Sequence, residues 1–180
     1  LDTPGHADFG AEMERTLAVL DYSVLIISGT DGVQAHTETL WRLLERYRIP
    51  TFIFVNKMDQ PGADRAHILE ELQRKLSPAC LPHDTDEEAL ALCDERLMAE
   101  YLESGTLTET NLAAALARRA WFPCFWGAAL RQEGIAELLE GLDRLTLAPA
   151  YLPDFAARVY KISTDAQGSR LTHLKVTGGA

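Results

Sequence analysis

Three short apolar segments, each followed by a turn and then an amphipathic pattern, constrain the fold of this chain more than any other feature. They cover residues 23–28, 51–55 and 122–126. Segments this short and this apolar are typical of parallel strands that helices cover on both faces. Strands that alternate with helices through short connections predict right-handed βαβ units. The sequence therefore predicts an α/β fold, with a parallel sheet flanked by helices.

The alternation of strands and helices is interrupted between about residues 78 and 120. Apolar residues such as Leu90, Leu97 and Leu112 recur there at helical spacing, with no apolar strand between them. We therefore expect a helical insertion in this interval. The alternation then resumes, and one domain is expected over residues 1–148.

Residues 149–180 have a different pattern. Pro149 and Pro153 indicate a linker. Two partly alternating segments, 157–163 and 171–177, then predict a β-hairpin. Because two strands alone bury too little surface to be stable, the hairpin is expected to be the start of a second, β-type domain.

Composition excludes several classes of protein. With a formal net charge of −10 over 180 residues, the chain lacks the basic character that binding to DNA or RNA on its own requires. The three cysteines, Cys80, Cys93 and Cys124, are widely spaced and predict neither a disulfide framework nor a zinc site. No segment has the length of a membrane span or the pattern of a secretory signal. The expectation is a cytoplasmic protein with no membrane and no DNA partner.

The sequence Asn-Lys-Met-Asp directly follows the segment 51–55, where a parallel strand would end. Ligands of open α/β sheets bind at this edge. The carboxylate of Asp59 can accept the adjacent N1–H and N2–H of guanine, a pair of donors that adenine lacks. Asn56 could tie neighbouring loops together or reach the base, and the Lys57 stem could lie on the ring. A polar turn without a ligand is the alternative, since Asn and Asp are common in turns.

Small residues follow the third apolar segment, in the order Gly127, Ala128, Ala129 and Leu130. Without bulky side chains, a backbone N–H can approach a ligand carbonyl closely. Gly and Ala after a strand are also routine in structural turns, so both interpretations stay open for this loop.

The first ten residues, LDTPGHADFG, contain a third group of candidate ligands. Asp2 could hold Mg²⁺ through water, because Mg²⁺ favours oxygen ligands and keeps much of its hydration shell. Gly5 has no Cβ, so its N–H could approach a phosphate oxygen at the start of a helix. His6 could orient or polarise an attacking water.

The order of these three motifs resembles that of a GTP-binding domain. The stretches DTPGHADF, DGVQAHTETLWR, IPTFIFVNKMDQPGAD and GAAL identify the chain as similar to the translational GTPases of the elongation factor G superfamily. Within that superfamily, ISGTDGVQAHT, IPTFIFVNKMDQPG and DERLMAEYLESGTL are most similar to the tetracycline-resistance ribosomal protection proteins. An elongation factor G or a release-factor type GTPase is the alternative within the class, and a non-catalytic interaction module is the alternative outside it.

The resemblance implies roles for the first motif. Asp2 corresponds to the aspartate associated with the magnesium ion, and Gly5 to a contact of the γ-phosphate. His6 corresponds to the histidine that positions the hydrolytic water when such a factor docks on ribosomal RNA. GTP or GDP with Mg²⁺, and the ribosome, are therefore the implied cofactors and partner.

The resemblance also assigns six residues to the guanine site: Asn56, Lys57, Asp59, Ala128, Ala129 and Leu130. In this assignment the Ala129 amide contacts guanine O6. Ala128 departs from the serine that is more usual there, which is expected to weaken support of the loop more than guanine selection.

No G-x-x-x-x-G-K-[ST] motif occurs in the 180 residues, and the threonine-bearing switch loop of the family is also missing. We therefore expect a partial P-loop-type GTPase domain that does not hydrolyse GTP by itself. The segment 23–28 is expected to form an unpaired edge of the sheet. Binding to the ribosome and its RNA is expected mainly from other parts of a longer parent.

Overall fold

A computed structural model describes residues 15–179 of the chain. Residues Tyr22–Leu147 form one compact unit. The described residues outside it, 15–21 and 148–179, form a second unit. No helix in the described part of the chain combines the length and the apolar character that crossing a membrane requires.

The first unit is built on a four-stranded parallel sheet. Its strands are β1 (Ser23–Ser28), β2 (Thr51–Asn56), β3 (Cys80–Pro82) and β4 (Phe122–Trp126). Their spatial order is β1-β2-β4-β3, and all three pairings are parallel. The three predicted strands are therefore adjacent, with β2 in the middle, and the predicted α/β fold is confirmed.

Helices cover both faces of this sheet. They are α1 (Ala35–Arg46), α2 (Arg65–Lys75), α3 (Glu87–Ala91), α4 (Glu95–Ser104), α5 (Glu109–Ala117) and α6 (Ile135–Leu145). On one face, Phe52 and Phe54 of β2 join a hydrophobic cluster with residues of α3 to α6. On the other, Ile53 and Val55 join a cluster with Trp41 and other residues of α1 and α2. Alternate residues of β2 thus enter opposite cores, which explains its unbroken apolar sequence.

Strand β1 differs from the prediction that both of its faces are buried. Leu25 and Ile27 lie in the cluster with Trp41, but Val24 and Ile26 are 37% and 65% exposed. In the described part of the chain β1 is an outer strand of the sheet, and only its face towards α1 is covered. The apolar sequence alone could not distinguish this arrangement from a fully covered strand.

The segment between α2 and β4 contains a strand as well as helices. Strand β3 is only three residues long and pairs with β4, with Cys80 opposite Phe122 and Pro82 opposite Cys124. The predicted helical insertion did not include it. Asp94 caps α4 by accepting hydrogen bonds from the first backbone N–H groups of the helix, and it also binds Arg118 at 3.0 Å.

The second unit contains the predicted hairpin. Strands β5 (Ala156–Thr164) and β6 (Arg170–Gly178) pair antiparallel. Within the same unit, Lys175 Nζ donates to the Val19 carbonyl and to Asp21 Oδ1, at 2.9 and 2.6 Å. This antiparallel pair confirms the predicted β strands after the parallel sheet.

Candidate nucleotide site at the carboxyl edge of the sheet

Two loops leave the carboxyl ends of the neighbouring strands β2 and β4 and are joined through their backbones. Val55 lies opposite Trp126 in the sheet. Beyond this pair, Gly127 N donates to the Val55 carbonyl and Met58 N donates to the Gly127 carbonyl, both at 3.0 Å. The Asn-Lys-Met-Asp loop and the Gly-Ala-Ala-Leu loop therefore form one continuous rim at the edge where α/β sheets bind ligands.

The side chain of Asn56 links the two loops. Its Oδ1 accepts hydrogen bonds from the backbone N–H of Lys57 at 2.8 Å and of Ala129 at 2.9 Å. Its own carbonyl accepts from Gly29 N at 2.7 Å, which attaches the loop after β1. The sequence left two roles open for Asn56. In the structure its side chain ties the two loops together.

Close packing fixes the shape of the rim. Lys57 adopts a left-handed backbone conformation with φ of 63°, which is uncommon for a residue with a side chain. A Cβ on Gly29 would lie 2.6 Å from Met58 Sδ. A Cβ on Gly127 would lie 2.2 Å from the Glu133 carbonyl oxygen. Glycine is therefore required at position 127, where the obstacle is backbone, whereas a side chain at position 29 would force the Met58 side chain to move.

The carboxylate of Asp59 lies inside the rim, with 12% of its side chain exposed. Its Oδ2 accepts a hydrogen bond from Gln60 Nε2 at 3.3 Å. Arg131 Nε lies 3.1 Å from the same oxygen in an ion pair, and the Arg131 side chain is 62% exposed. The sequence predicted Asp59 as a site residue but predicted neither Gln60 nor Arg131.

The Gly-Ala-Ala-Leu loop ends in a short 3₁₀ turn over Ala129–Arg131. Ala128 is buried, and its N–H donates to the Glu133 carbonyl at 3.1 Å. The N–H of Ala129, which the resemblance assigns to guanine O6, donates to Asn56 Oδ1. The Leu130 side chain is fully exposed at the edge of the rim.

The rim encloses an open cavity of about 440 Å³. Its lining consists of Thr30, Asn56, Lys57, Asp59, Gln60, Pro61, Ala128, Ala129 and Leu130. All six residues predicted for a guanine site thus line a single cavity. Thr30, Gln60 and Pro61 were missed, although each lies within two residues of a predicted strand end or motif.

The chemistry of this lining fits a guanine base. One carboxylate can accept two adjacent N–H groups, one backbone N–H can donate to a carbonyl, and the Lys57 stem and Leu130 offer apolar surface to the ring faces. The residues predicted to contact Mg²⁺ and phosphate, Asp2, Gly5 and His6, lie outside the described residues. Within residues 15–179, no group of three His, Cys, Asp or Glu side chains is placed to hold a metal ion.

A parallel sheet with such a rim at its carboxyl edge defines the class of α/β nucleotide-binding domains. Residues 1–148 match the family described as the elongation factor Tu GTP binding domain, and the chain belongs to that family. It is a GTP-binding domain of the kind found in translational GTPases.

Two curated relatives carry names that refer to drug resistance. The chain is 36% identical over 212 residues to the tetracycline resistance protein TetM of Streptomyces lividans, covering 99% of this chain and 33% of that protein. It is 36% identical over 211 residues to the oxytetracycline resistance protein of Streptomyces rimosus, covering 99% of this chain and 32% of that protein. The chain therefore spans about a third of the length of these relatives.

A solved structure has the same fold. A crystal structure of a protein from Thermus thermophilus superposes with a TM-score of 0.85 and 24% sequence identity. The match covers 99% of this chain and 35% of that protein.

Proposed function

We propose that the cavity between the β2 and β4 loops binds the base of GTP or GDP. In this proposal Asp59 accepts guanine N1–H and N2–H, and the Ala129 N–H is shared between Asn56 Oδ1 and guanine O6. The Lys57 stem and Leu130 cover the two faces of the ring. The observation that carries the proposal is that six residues predicted from two distant motifs line one cavity of about 440 Å³.

The phosphate end of the site is proposed from the resemblance to the family. Asp2 would be associated with Mg²⁺, Gly5 would contact the γ-phosphate, and His6 would position the attacking water. Mg²⁺ supplies charge neutralisation at the phosphates when it is bound. The membership of residues 1–148 in the family supports these assignments.

For the whole protein we propose a cytoplasmic, ribosome-dependent GTPase that protects translation against tetracycline. The names of the two Streptomyces relatives support this function. Contacts with the ribosome and its RNA would come mainly from segments other than residues 15–179, because the net charge of −10 makes this chain a poor partner for RNA on its own.

The guanine assignment is tested with Asp59→Asn in the protein expressed from its complete gene. The substitution replaces one accepting oxygen by a donor, so guanine loses a partner while xanthine, with a carbonyl in place of the amino group, gains one. Affinity for GDP should fall roughly tenfold to a hundredfold, and xanthosine diphosphate should become the preferred nucleotide. Asp143→Asn, on an exposed position of α6, removes the same charge away from the cavity and should leave the preference unchanged. Unchanged selectivity in Asp59→Asn would refute the assignment.

The function of the whole protein is tested in a translation assay inhibited by tetracycline. The protein with GTP should restore synthesis, and His6→Ala should abolish ribosome-stimulated hydrolysis while GDP binding persists. Support of translocation without any relief of tetracycline inhibition would favour the elongation factor G type instead.

A further inference from the structure

The two oxygens of the Asp59 carboxylate are not equivalent. Oδ2 has two nitrogen atoms within 3.3 Å, Arg131 Nε at 3.1 Å and Gln60 Nε2 at 3.3 Å. Gln60 donates a hydrogen bond to Oδ2 and Arg131 forms an ion pair with it, so the chain itself already engages this oxygen. In the described part of the chain, no residue donates a hydrogen bond to Oδ1.

Purine bases differ in how many oxygens of this carboxylate they need. Guanine presents N1–H and N2–H side by side, and the pair requires both oxygens. Hypoxanthine presents N1–H alone and requires one. On the basis of the proposed function, and with Oδ1 assigned to N1–H, hypoxanthine uses Oδ1 alone and leaves Arg131 in place. Guanine must also use Oδ2 for its N2–H.

Arg131 is the group that must move away from Asp59 Oδ2 when guanine binds. Of the two nitrogen atoms near Oδ2, that of Arg131 belongs to a charged group, so it competes more strongly than the neutral amide of Gln60. The backbone of Arg131 is fixed, because its N–H donates to the Ala128 carbonyl at 2.8 Å. Its side chain is 62% exposed, whereas Asp59 is only 12% exposed. The guanidinium can thus move into solvent while the carboxylate keeps its position.

We propose that Arg131 is a specificity-determining residue of the base site. Its guanidinium competes with the exocyclic amino group of guanine for Asp59 Oδ2. It therefore weakens the binding of guanine nucleotides without affecting hypoxanthine nucleotides, and narrows the preference for guanine over hypoxanthine.

The test uses Arg131→Met in the protein expressed from its complete gene. Dissociation constants for GDP and inosine diphosphate are measured by competition against a fluorescent GDP analogue. Because the guanidinium of this ion pair is largely exposed to solvent, the pair is weak, and Arg131→Met should tighten GDP binding by about twofold to fivefold and leave inosine diphosphate unchanged. Arg131→Lys, which keeps the charge, should lie closer to the wild type.

Arg42→Met is the matched control. Arg42 is 74% exposed and forms an ion pair with Glu38 at 3.5 Å on α1, so this substitution removes the same charge from a similar contact away from the cavity. Both nucleotides should bind it as they bind the wild type.

Three results would overturn the inference. They are weaker GDP binding by Arg131→Met, an equal change for GDP and inosine diphosphate, and no change for either. In all three the proposed function survives if the wild type prefers GDP over ADP and Asp59→Asn prefers xanthosine diphosphate. A wild type that does not distinguish GDP from ADP would refute the proposed function and the inference with it.

Discussion

Asn56 Oδ1 lies 2.9 Å from the backbone nitrogen of Ala129, a residue 73 positions further along the chain. The same oxygen accepts from the N–H of Lys57, whose backbone is left-handed. One side-chain oxygen therefore holds both loops of the candidate site in place. Because both of its lone pairs are engaged in this task, that oxygen does not contact a base directly.

Substitutions of Asn56 that remove its side-chain oxygen should lower the free energy of unfolding. Asn56→Ala leaves two backbone N–H groups without their acceptor, so we expect a loss of about 1–3 kcal/mol in the free energy of unfolding. Asn56→Asp keeps an accepting oxygen and should lose much less. Urea denaturation followed by circular dichroism measures both, and equal stability of the two variants would contradict the role.

Glu71 connects α2 to the loop after β1 and should make stability depend on pH. Its Oε2 accepts from Val33 N at 2.9 Å, and Lys75 Nζ donates to its Oε1 at 2.5 Å. Burial by itself raises the pKa of Glu71, but the hydrogen bonds from Lys75 and Val33, with the charges of Lys75 and His67, outweigh it and lower the pKa below 4.5. Because the pKa is lower in the folded than in the unfolded chain, the contribution is complete above pH 4.5 and is lost as the pH falls through the folded value.

We therefore expect Glu71→Gln to lower the free energy of unfolding by about 1–2 kcal/mol at neutral pH. The difference from the wild type should shrink as the pH falls below 4.5. Denaturation curves at several pH values measure this. Glu70→Gln, at the exposed neighbouring position, should show no such dependence, and a constant difference for Glu71→Gln across the pH range would disprove the explanation.

Two helices end in the same way, each with an arginine in a left-handed conformation. Arg48 follows α1 with φ of 54°, and Arg119 follows α5 with φ of 62°. Each N–H donates back to the preceding turn, Arg48 to the Glu45 carbonyl and Arg119 to the Leu116 carbonyl. Glycine is the usual residue at this position because it has no Cβ. The two arginines share this backbone conformation, and the contacts of their side chains distinguish them.

Replacement of each arginine by glycine should have opposite effects. Arg48→Gly removes an exposed side chain and relieves the backbone, so stability should stay the same or rise by up to about 1 kcal/mol. Arg119→Gly removes hydrogen bonds to the Ile49 carbonyl and Thr51 Oγ1 and a cation–π contact with Trp41. A loss of about 2–4 kcal/mol is expected. Thermal denaturation of both variants measures the contrast, and similar effects would show that the Arg119 side chain contributes little.

Gly141 lies in the middle of α6, where alanine would ordinarily stabilise the helix by about 1 kcal/mol. A Cβ there would lie 2.4 Å from Cζ of Phe125, a fully packed ring of β4. We expect Gly141→Ala to lower the free energy of unfolding by roughly 1–2 kcal/mol, because overpacking exceeds the gain in propensity. In a Phe125→Leu background the same substitution should become stabilising. A stabilising effect in the wild-type background would show that the ring is free to move.

The strands and motifs that could be predicted from the sequence are those with strong local signals. The apolar runs at 23–28, 51–55 and 122–126 indicated β1, β2 and β4, and the motif at Asn56 indicated one wall of the cavity. Strand β3 was missed because Cys80–Pro82 is too short to show a pattern and exists through its pairing with β4. Its partner, not its own sequence, makes it a strand.

Arg131 could not be predicted from the sequence for a different reason. It directly follows Leu130 of the predicted loop, but the sequence does not mark it as a partner of Asp59. It reaches that carboxylate only because the 3₁₀ turn at Ala129–Arg131 brings the chain back towards the Asn-Lys-Met-Asp loop. The exposure of Ile26 could not be predicted from the sequence either, because it depends on which elements cover β1.

The parallel pairing of β2 with β4 decides where the two halves of the cavity meet. The Val55–Trp126 pair and the hydrogen bonds beyond it set the distance between the loops, wherever along the chain the two strands stand. The number of residues separating the two motifs is therefore free to change in other chains of this fold. A sequence search that requires the two motifs in this order, each directly after a strand, would find such chains. A search that also requires a fixed number of residues between the motifs would miss them.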